Sequence, residues 1–243
     1  MRIIPFQHNG RRVCFFTDHC RRKQPRKFDR VALLAQRWEK YEKVLLRLLK
    51  QNSQEAFACL VMAHTGLRVG NEDSAEGYVT KLRGLEGQTI QTFGLTTLRK
   101  EHVFSEGKKL ILRFLGKKAV GQDVAITDPI LIEYGKRLLA EIPGDSWLSV
   151  SDREVYRFFK RQIDPVITLK DLRTMCANAM AYALFEDTLA DRPPLGRKSE
   201  VNKELKTLLE TAATKLGNTG GVLKRSYMSP HFVEWFKVKR FDA

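Results

Sequence analysis

At 243 residues, 43% of them hydrophobic, the chain can build one large domain or a medium domain with a smaller appendage, and it is too apolar for wholesale disorder. Lysine and arginine number 43 against 28 aspartates and glutamates, and the resulting charge of +15 attracts polyanions and supplies phosphate contacts. That balance favours nucleic acid, although charge alone leaves a ribosome, a membrane surface and heparin open. The apolar runs all fall far short of the roughly 18 residues of a membrane span, and no early segment reads as a secretory leader.

Residues 1–28 read as basic and irregular, with Arg11, Arg12, Arg21, Arg22, Lys23, Arg26 and Lys27 opposed only by Asp18. They are either a solvated tail or an arm lying along DNA phosphates. Over residues 29–50, Val31, Leu34, Trp38, Tyr41, Leu45 and Leu48 recur at three- and four-residue steps, which predicts an amphipathic helix. A second helix is predicted over 54–64, stopping at Thr65-Gly66. The middle of the chain reads as strand at 102–104, turn at 105–108, strand at 109–115, turn at 116–122 and a third strand at 123–127. Asp128-Pro129 opens a helix reaching residue 142, and Ser151-Asp152 caps another reaching residue 163. Thr168-x-x-Asp171 has the form of a capping box for a long helix to residue 187. A linker rich in Arg, Pro and Gly follows at 190–199, then a helix at 201–216, a loop at 217–221 and a last helix restarted by Ser229-Pro230. The fold class is α+β, mainly helical, with a small three-stranded antiparallel sheet.

The four cysteines, Cys14, Cys20, Cys59 and Cys176, show no disulfide-framework spacing, which suits a reducing cytosolic or nuclear compartment. Cys14, His19 and Cys20 lack the C-x2-C pairing and second half of a zinc site, so unpaired thiols and no metal are expected.

Four segments carry candidate chemistry. In His64-Thr65-Gly66-Leu67-Arg68-Val69-Gly70-Asn71, later followed by Phe93-Gly94-Leu95-Thr96-Thr97-Leu98, an arginine sits between glycines where backbone can approach a ligand. Gly116-Lys117-Lys118 places flexible amines on a strand-to-strand turn. In Lys170-Asp171-Leu172-Arg173-Thr174, Arg173 lies near a helix N-terminus, whose free N–H groups favour anions. The last is 216–228, where Tyr227 follows Lys224-Arg225-Ser226 and stands two positions before a helix cap. Singly, each has a plain structural reading: a surface charge, a hairpin turn, an arginine paired with Asp171, a core tyrosine.

In this order, the segments resemble the type IB topoisomerases of poxviruses and bacteria, over about residues 53–236. That family has an LRxGN-like loop, here Leu67 to Asn71, upstream of a GLTTL segment, here Gly94 to Leu98. It has a lysine in a β-turn, matching Lys117, a KDLRT segment matching Lys170 to Thr174, and closing LGxT and KRxYM segments matching Leu216 to Thr219 and Lys224 to Met228. Two features depart from it. Asn218 stands nine positions before Tyr227 (227 − 218 = 9), where poxviral members carry His and bacterial members often carry Asn. Only about 50 residues precede the matched region, so the resemblance implies that 1–50 are a shortened remnant of the family's N-terminal clamp and 51–243 the catalytic domain. The stretch 71–92 is longer than the resemblance suggests.

The resemblance implies the DNA breaking-rejoining catalytic fold and a matching mechanism. Tyr227 attacks a phosphodiester to give a 3′-phosphotyrosyl link. Arg68 and Arg173 hold the nonbridging oxygens, Asn218 donates to one of them, and Lys117 (with Lys118 as runner-up) protonates the leaving 5′ oxygen. Lys118, Lys170, Lys224 and Arg225 are expected to contact DNA. The partner is double-stranded DNA, bound by a monomer, with no membrane, cofactor, metal or ATP. The site of action is the bacterial cytoplasm and nucleoid, or otherwise the nucleus or virion. The competing readings are a tyrosine recombinase or integrase, which typically has His-x-x-Arg where this chain has Lys170-x-x-Arg173, and a noncatalytic DNA-binding relative.

Overall fold

The computed structural model describes residues 1–17, 26–71, 78–79 and 87–241. The N-terminal segment is not irregular. Arg2–His8 (β1) and Arg11–Thr17 (β2) pair antiparallel, from Arg2 opposite Thr17 to His8 opposite Arg11. Alternation drives it: Ile4, Phe6 and His8 are buried while Ile3, Pro5 and Gln7 face out. Asn9 (φ 50°) and Gly10 (φ 73°) supply the two left-handed residues that a tight hairpin turn demands. Asp18, His19, Cys20, Arg21, Arg22 and Lys23 of the basic stretch, and with them the second half of the Cys14/His19/Cys20 triplet, lie outside the described residues.

Helix α1 spans Lys27–Lys50 and buries Val31, Leu34, Trp38, Tyr41 and Leu45, followed by Leu49 rather than Leu48. Helix α2, Gln54–Thr65, starts where the Ser53 side chain accepts from the Ala56 N–H and stops at Gly66 in the left-handed region. Two short strands, Tyr78–Val79 (β3) and Thr89–Ile90 (β4), pair antiparallel, so the expected single sheet is joined by two further strand pairs. Most of 71–92 lies outside the described residues.

Val103–Glu106 (β5), Lys109–Gly116 (β6) and Val120–Ile126 (β7) form the expected three-stranded antiparallel sheet, in that order. β7 starts three residues earlier than its apolar pattern suggests, because the ladder runs to Gly116 opposite Val120 and leaves only Lys117–Ala119 as the turn. Helix α3, Pro129–Glu141, is capped by the Asp128 carboxylate, which accepts from Ile130 and Leu131. Helix α4, Asp152–Gln162, opens with a Ser151–Glu154 capping box. Helix α5 spans Leu169–Thr188, α6 Lys198–Lys215, α7 Gly220–Ser226 and α8 Pro230–Arg240. α7 corrects the expected loop: Thr219 caps it by accepting from Val222, so helix restarts before the second glycine of the pair.

Contacts divide the chain into two compact units, Met1–Tyr41 with Lys170–Ala243, and Glu42–Leu169, boundaries that differ from a division at residue 50. The first has a core of Phe16, Cys176, Ala177, Ala181, Leu205, Leu209, Leu223, Tyr227 and Phe232. In the second, Phe57 packs against Tyr134 and Trp147 at ring distances of 5.1 and 5.4 Å. There the Trp147 indole N–H donates to the Gly135 carbonyl at 3.1 Å, satisfying the one polar atom of a buried ring. Among the described residues no helix is long and apolar enough to cross a membrane.

Candidate active site

The unit that holds Tyr227 places it against two cations. Tyr227 follows α7 directly and is only 3% exposed. Its N–H donates to Leu223 O at 2.9 Å and its carbonyl accepts from Asn178 Nδ2 at 2.8 Å. Apolar α7 residues and the α8 cap fold the ring inward, and the main chain is held from both sides.

Arg173, on α5, is 4% exposed, and its guanidinium carbon lies 5.1 Å from the Tyr227 ring centroid. That is within the range of a cation–π contact, strongest where water is excluded. Its Nη2 donates to Leu216 O at 2.7 Å, which ties α5 to the turn carrying Asn218. Gly217 takes φ 58° there, and the Asn218 N–H donates back to Ala213 O at 2.9 Å, leaving Asn218 half-buried two residues past the carbonyl that Arg173 holds. Lys170, Lys224 and Arg225 are exposed.

Two residues at this site escaped sequence reasoning. Asn178, 1% exposed, donates to Thr174 O and Tyr227 O, and accepts from the Ser229 N–H at 3.0 Å. Only its place five residues after Arg173 hints at this, and an asparagine inside a helix has no partner that sequence can name. Lys27, counted only as part of a basic tail, donates from Nζ to Ser226 O and lies 5.0 Å from the Tyr227 ring centroid. Burial pushes its pKa down from the ordinary value, while the tyrosine's negative form acts the other way. Next to it, Arg30 donates to Asp171 through Nε at 2.8 Å and Nη2 at 3.2 Å.

The second unit explains why its two motifs go together. Gly66 and Gly70 adopt φ 71° and 94°, turning the chain sharply on either side of half-buried Arg68. The loop is then stitched to the Gly94–Leu98 segment: Leu95 N–H donates to Arg68 O at 2.9 Å, and Thr96 donates to Val69 O through N–H at 2.6 Å and Oγ1 at 3.0 Å. Gly70 and Gly94 meet backbone to backbone, so close that a side chain at either would collide with the other. His64, at the end of α2, pairs with Glu42 at 3.0 Å. Lys117 and Lys118 are both exposed on the β6–β7 turn, where Lys118 and Ala119 take left-handed φ values of 65° and 56°.

The buried thiols do no chemistry here. Burial pushes Cys59 well above the ordinary thiol range and Cys176 up to about 12, so both stay protonated and inert. Among the described residues no group of three or more His, Cys, Asp or Glu side chains is arranged to hold a metal ion.

A family profile described as eukaryotic DNA topoisomerase I, catalytic core, matches residues 21–231. The chain belongs to the topoisomerase I family. It is similar to the DNA topoisomerase 1B of Acanthamoeba polyphaga mimivirus, with 24% identity over 98% of this chain and 72% of that protein. It is also similar to the DNA topoisomerase 1B of Vaccinia virus (strain Copenhagen), with 26% identity over 62% of this chain and 47% of the relative. The DNA topoisomerase 1 of Rabbit fibroma virus (strain Kasza) gives 26% over 59% and 45%. The chain thus spans less than half the length of the poxviral relatives. The topoisomerase profile covers every segment of the constellation, from the Arg68 loop to Tyr227, and takes in Lys27 and Asn178 as well.

Proposed function

We propose that this topoisomerase cuts one strand of duplex DNA by attack of the Tyr227 hydroxyl on a backbone phosphorus, then reseals it by the reverse step. The observation that best supports the reading is the Arg173 guanidinium 5.1 Å over the ring of Tyr227, which sets a permanent cation beside the phenol that would attack. In the forward step the tyrosine oxygen bonds to phosphorus and the bond to the 5′ oxygen breaks. The phenol gives its proton to solvent water, and the 5′ oxygen leaves as a hydroxyl with a proton from Lys117. An unperturbed phenol ionises near about pH 10, so neighbouring cations are what make it a nucleophile near neutrality.

Arg173 and Arg68 serve the nonbridging oxygens, which gain charge in the pentacoordinate transition state, and guanidinium suits this because it stays charged and donates in a fork. Asn218 adds one neutral hydrogen bond to those oxygens. Lys117 is the general acid and Lys118 the runner-up. Lys118 and Ala119 hold left-handed backbone at the tip of the β6–β7 turn, which costs about 1–3 kcal/mol per non-glycine residue and is imposed by the ladder on either side. Lys118, Lys170, Lys224 and Arg225 grip flanking phosphates. Residues 1–50 stand in the place of the family's clamp, ahead of a catalytic domain of residues 51–243. The phosphotyrosine link conserves the energy of the phosphodiester, so sealing draws on neither ATP nor metal, and a monomer suffices.

Plasmid relaxation in EDTA without ATP tests the whole scheme. Tyr227→Phe should form no denaturant-stable DNA adduct and relax nothing, while binding DNA about as tightly as the parent. A Phe variant that still relaxes plasmid overturns the assignment. Activity that requires paired sites and a multimer points to a recombinase instead.

A further inference from the structure

Lys27 opens α1 at a place that elementary electrostatics disfavours for a cation. The first turn of a helix presents unpaired N–H groups and the positive end of the dipole. The side chain is half-buried as well, and burial depresses its pKa, with the Lys170 charge acting in the same sense. Three contacts compensate: the neighbouring Phe28 ring 5.1 Å away, and two at the proposed nucleophile, the bond from Nζ to Ser226 O and the face of the Tyr227 ring 5.0 Å away. Arg30, one turn further along α1, docks the same helix end by its two-point bond to Asp171, which is 1% exposed. The charged groups around this ammonium are therefore Arg30 on its own helix and Lys170, Asp171 and Arg173 on α5.

We propose that Lys27 is a positioning residue for the nucleophile, fixing the Ser226–Tyr227 backbone and adding a positive charge at the ring that favours tyrosinate as it forms. The inference rests on the reading of Tyr227 as the nucleophile. It assigns the first turn of α1 a part in the cutting step, separate from any grip on DNA.

The test uses Lys27→Gln, which keeps a donor for Ser226 O but removes the charge, and Lys27→Arg, which keeps the charge. Single-turnover formation of the denaturant-stable adduct is followed across pH on a supercoiled plasmid with enzyme in excess, alongside DNA affinity and the thermal midpoint. Lys27→Gln should slow adduct formation about ten- to hundredfold near neutral pH. Its rising pH limb should move to higher pH, so that the deficit shrinks in alkali. Lys27→Arg should recover to within a few-fold, and affinity should change little in either variant. Parental rates with an unmoved limb in Lys27→Gln would overturn the proposal. So would a loss confined to affinity, or an equal slowing of both variants at every pH, which marks a merely structural role. Should Lys27→Gln melt early, the rate and limb of Lys27→Arg decide. Tyr227→Phe runs in parallel: adducts from that variant would sink the nucleophile itself, whereas a dead Tyr227→Phe beside an unaffected Lys27→Gln sinks only the role of Lys27.

Discussion

Gly94→Ala probes the Arg68 loop without touching a charged group. Gly94 has φ −138° and ψ −178°, extended backbone that alanine adopts freely, so any cost comes from space alone. A Cβ there would stand 2.4 Å from Gly70 Cα, 2.5 Å from Gly70 N and 3.1 Å from Arg68 O. Ordinary carbon contacts need about 3.5 Å, so the two segments must part by roughly 1 Å. Overpacking of this kind costs about 1–3 kcal/mol. Parting also strains the bonds from Leu95 N–H to Arg68 O and from Thr96 N–H to Val69 O, each worth about 1 kcal/mol. The expected loss is about 2–4 kcal/mol, or a drop of roughly 5–15 °C in thermal midpoint for a chain of this size. The larger effect should fall on cleavage, because a 1 Å displacement of a charge-stabilising group costs about a hundredfold in rate. Gly196→Ala is the control, having nothing within 4 Å of its added methyl. Adduct formation and calorimetry on both variants read the outcome. A Gly94→Ala protein with parental midpoint and parental cleavage would refute the claim that backbone contact between the two motifs holds Arg68 in place.

Two further outcomes follow from buried polar groups. Asn178→Ala leaves the Ser229 N–H and the Tyr227 carbonyl without the bonds that Asn178 now makes, so it should cost about 2–4 kcal/mol in urea unfolding and slow adduct formation, with DNA affinity unchanged. Parental stability would show that other groups take over both bonds. His102 accepts from the Arg99 N–H through Nδ1 at 3.0 Å, and burial lowers its pKa below the ordinary 6.5. The unfolded chain therefore takes up the proton first, so the stability tied to His102 is whole above about pH 6.5 and is lost as pH falls through the lowered folded value. Urea midpoints from pH 8 downward should show this decline in the parent and a flatter curve in His102→Gln; identical slopes would refute it.

The parts of the fold that were legible in the sequence are those fixed by local chemistry. Asp128 and Ser151 mark helix starts because their side chains accept from the next turn's N–H groups, and Gly66 marks a stop because left-handed backbone ends α2. Asn9-Gly10 carried an equally local signal for the β1–β2 hairpin, but the arginines around it read as an irregular segment, either a solvated tail or an arm along DNA. Within the site, Arg68, Lys117, Arg173 and Tyr227 stood out through their motifs. Lys27 and Asn178 did not, since each acquires its meaning only from a partner about 200 or 49 residues away. Burial of Tyr227 was hidden for the same reason: nothing in Lys224-Arg225-Ser226-Tyr227 shows that α7 turns its basic residues outward and its tyrosine in.

The hairpin's packing bears on how Tyr227 is held. Phe16 of β2 contacts Tyr182, Phe232 and Trp235 at ring distances of 6.0, 5.7 and 4.6 Å, which places the strand inside the core that also contains Tyr227. The Phe16 carbonyl accepts from Ser229 Oγ at 2.5 Å, the Ser229 N–H donates to Asn178 Oδ1, and Asn178 Nδ2 donates to the Tyr227 carbonyl. Ser229 and Asn178 are fully buried, where water cannot substitute for a missing partner, so every bond in this series is expensive to break. The N-terminal strand thus ends in a hydrogen-bonded path to the backbone of Tyr227. Whatever the hairpin shares with a clamp in ancestry, its packing makes it part of the support for Tyr227. Loosening the hairpin is therefore expected to loosen the Tyr227 backbone along with the core around it.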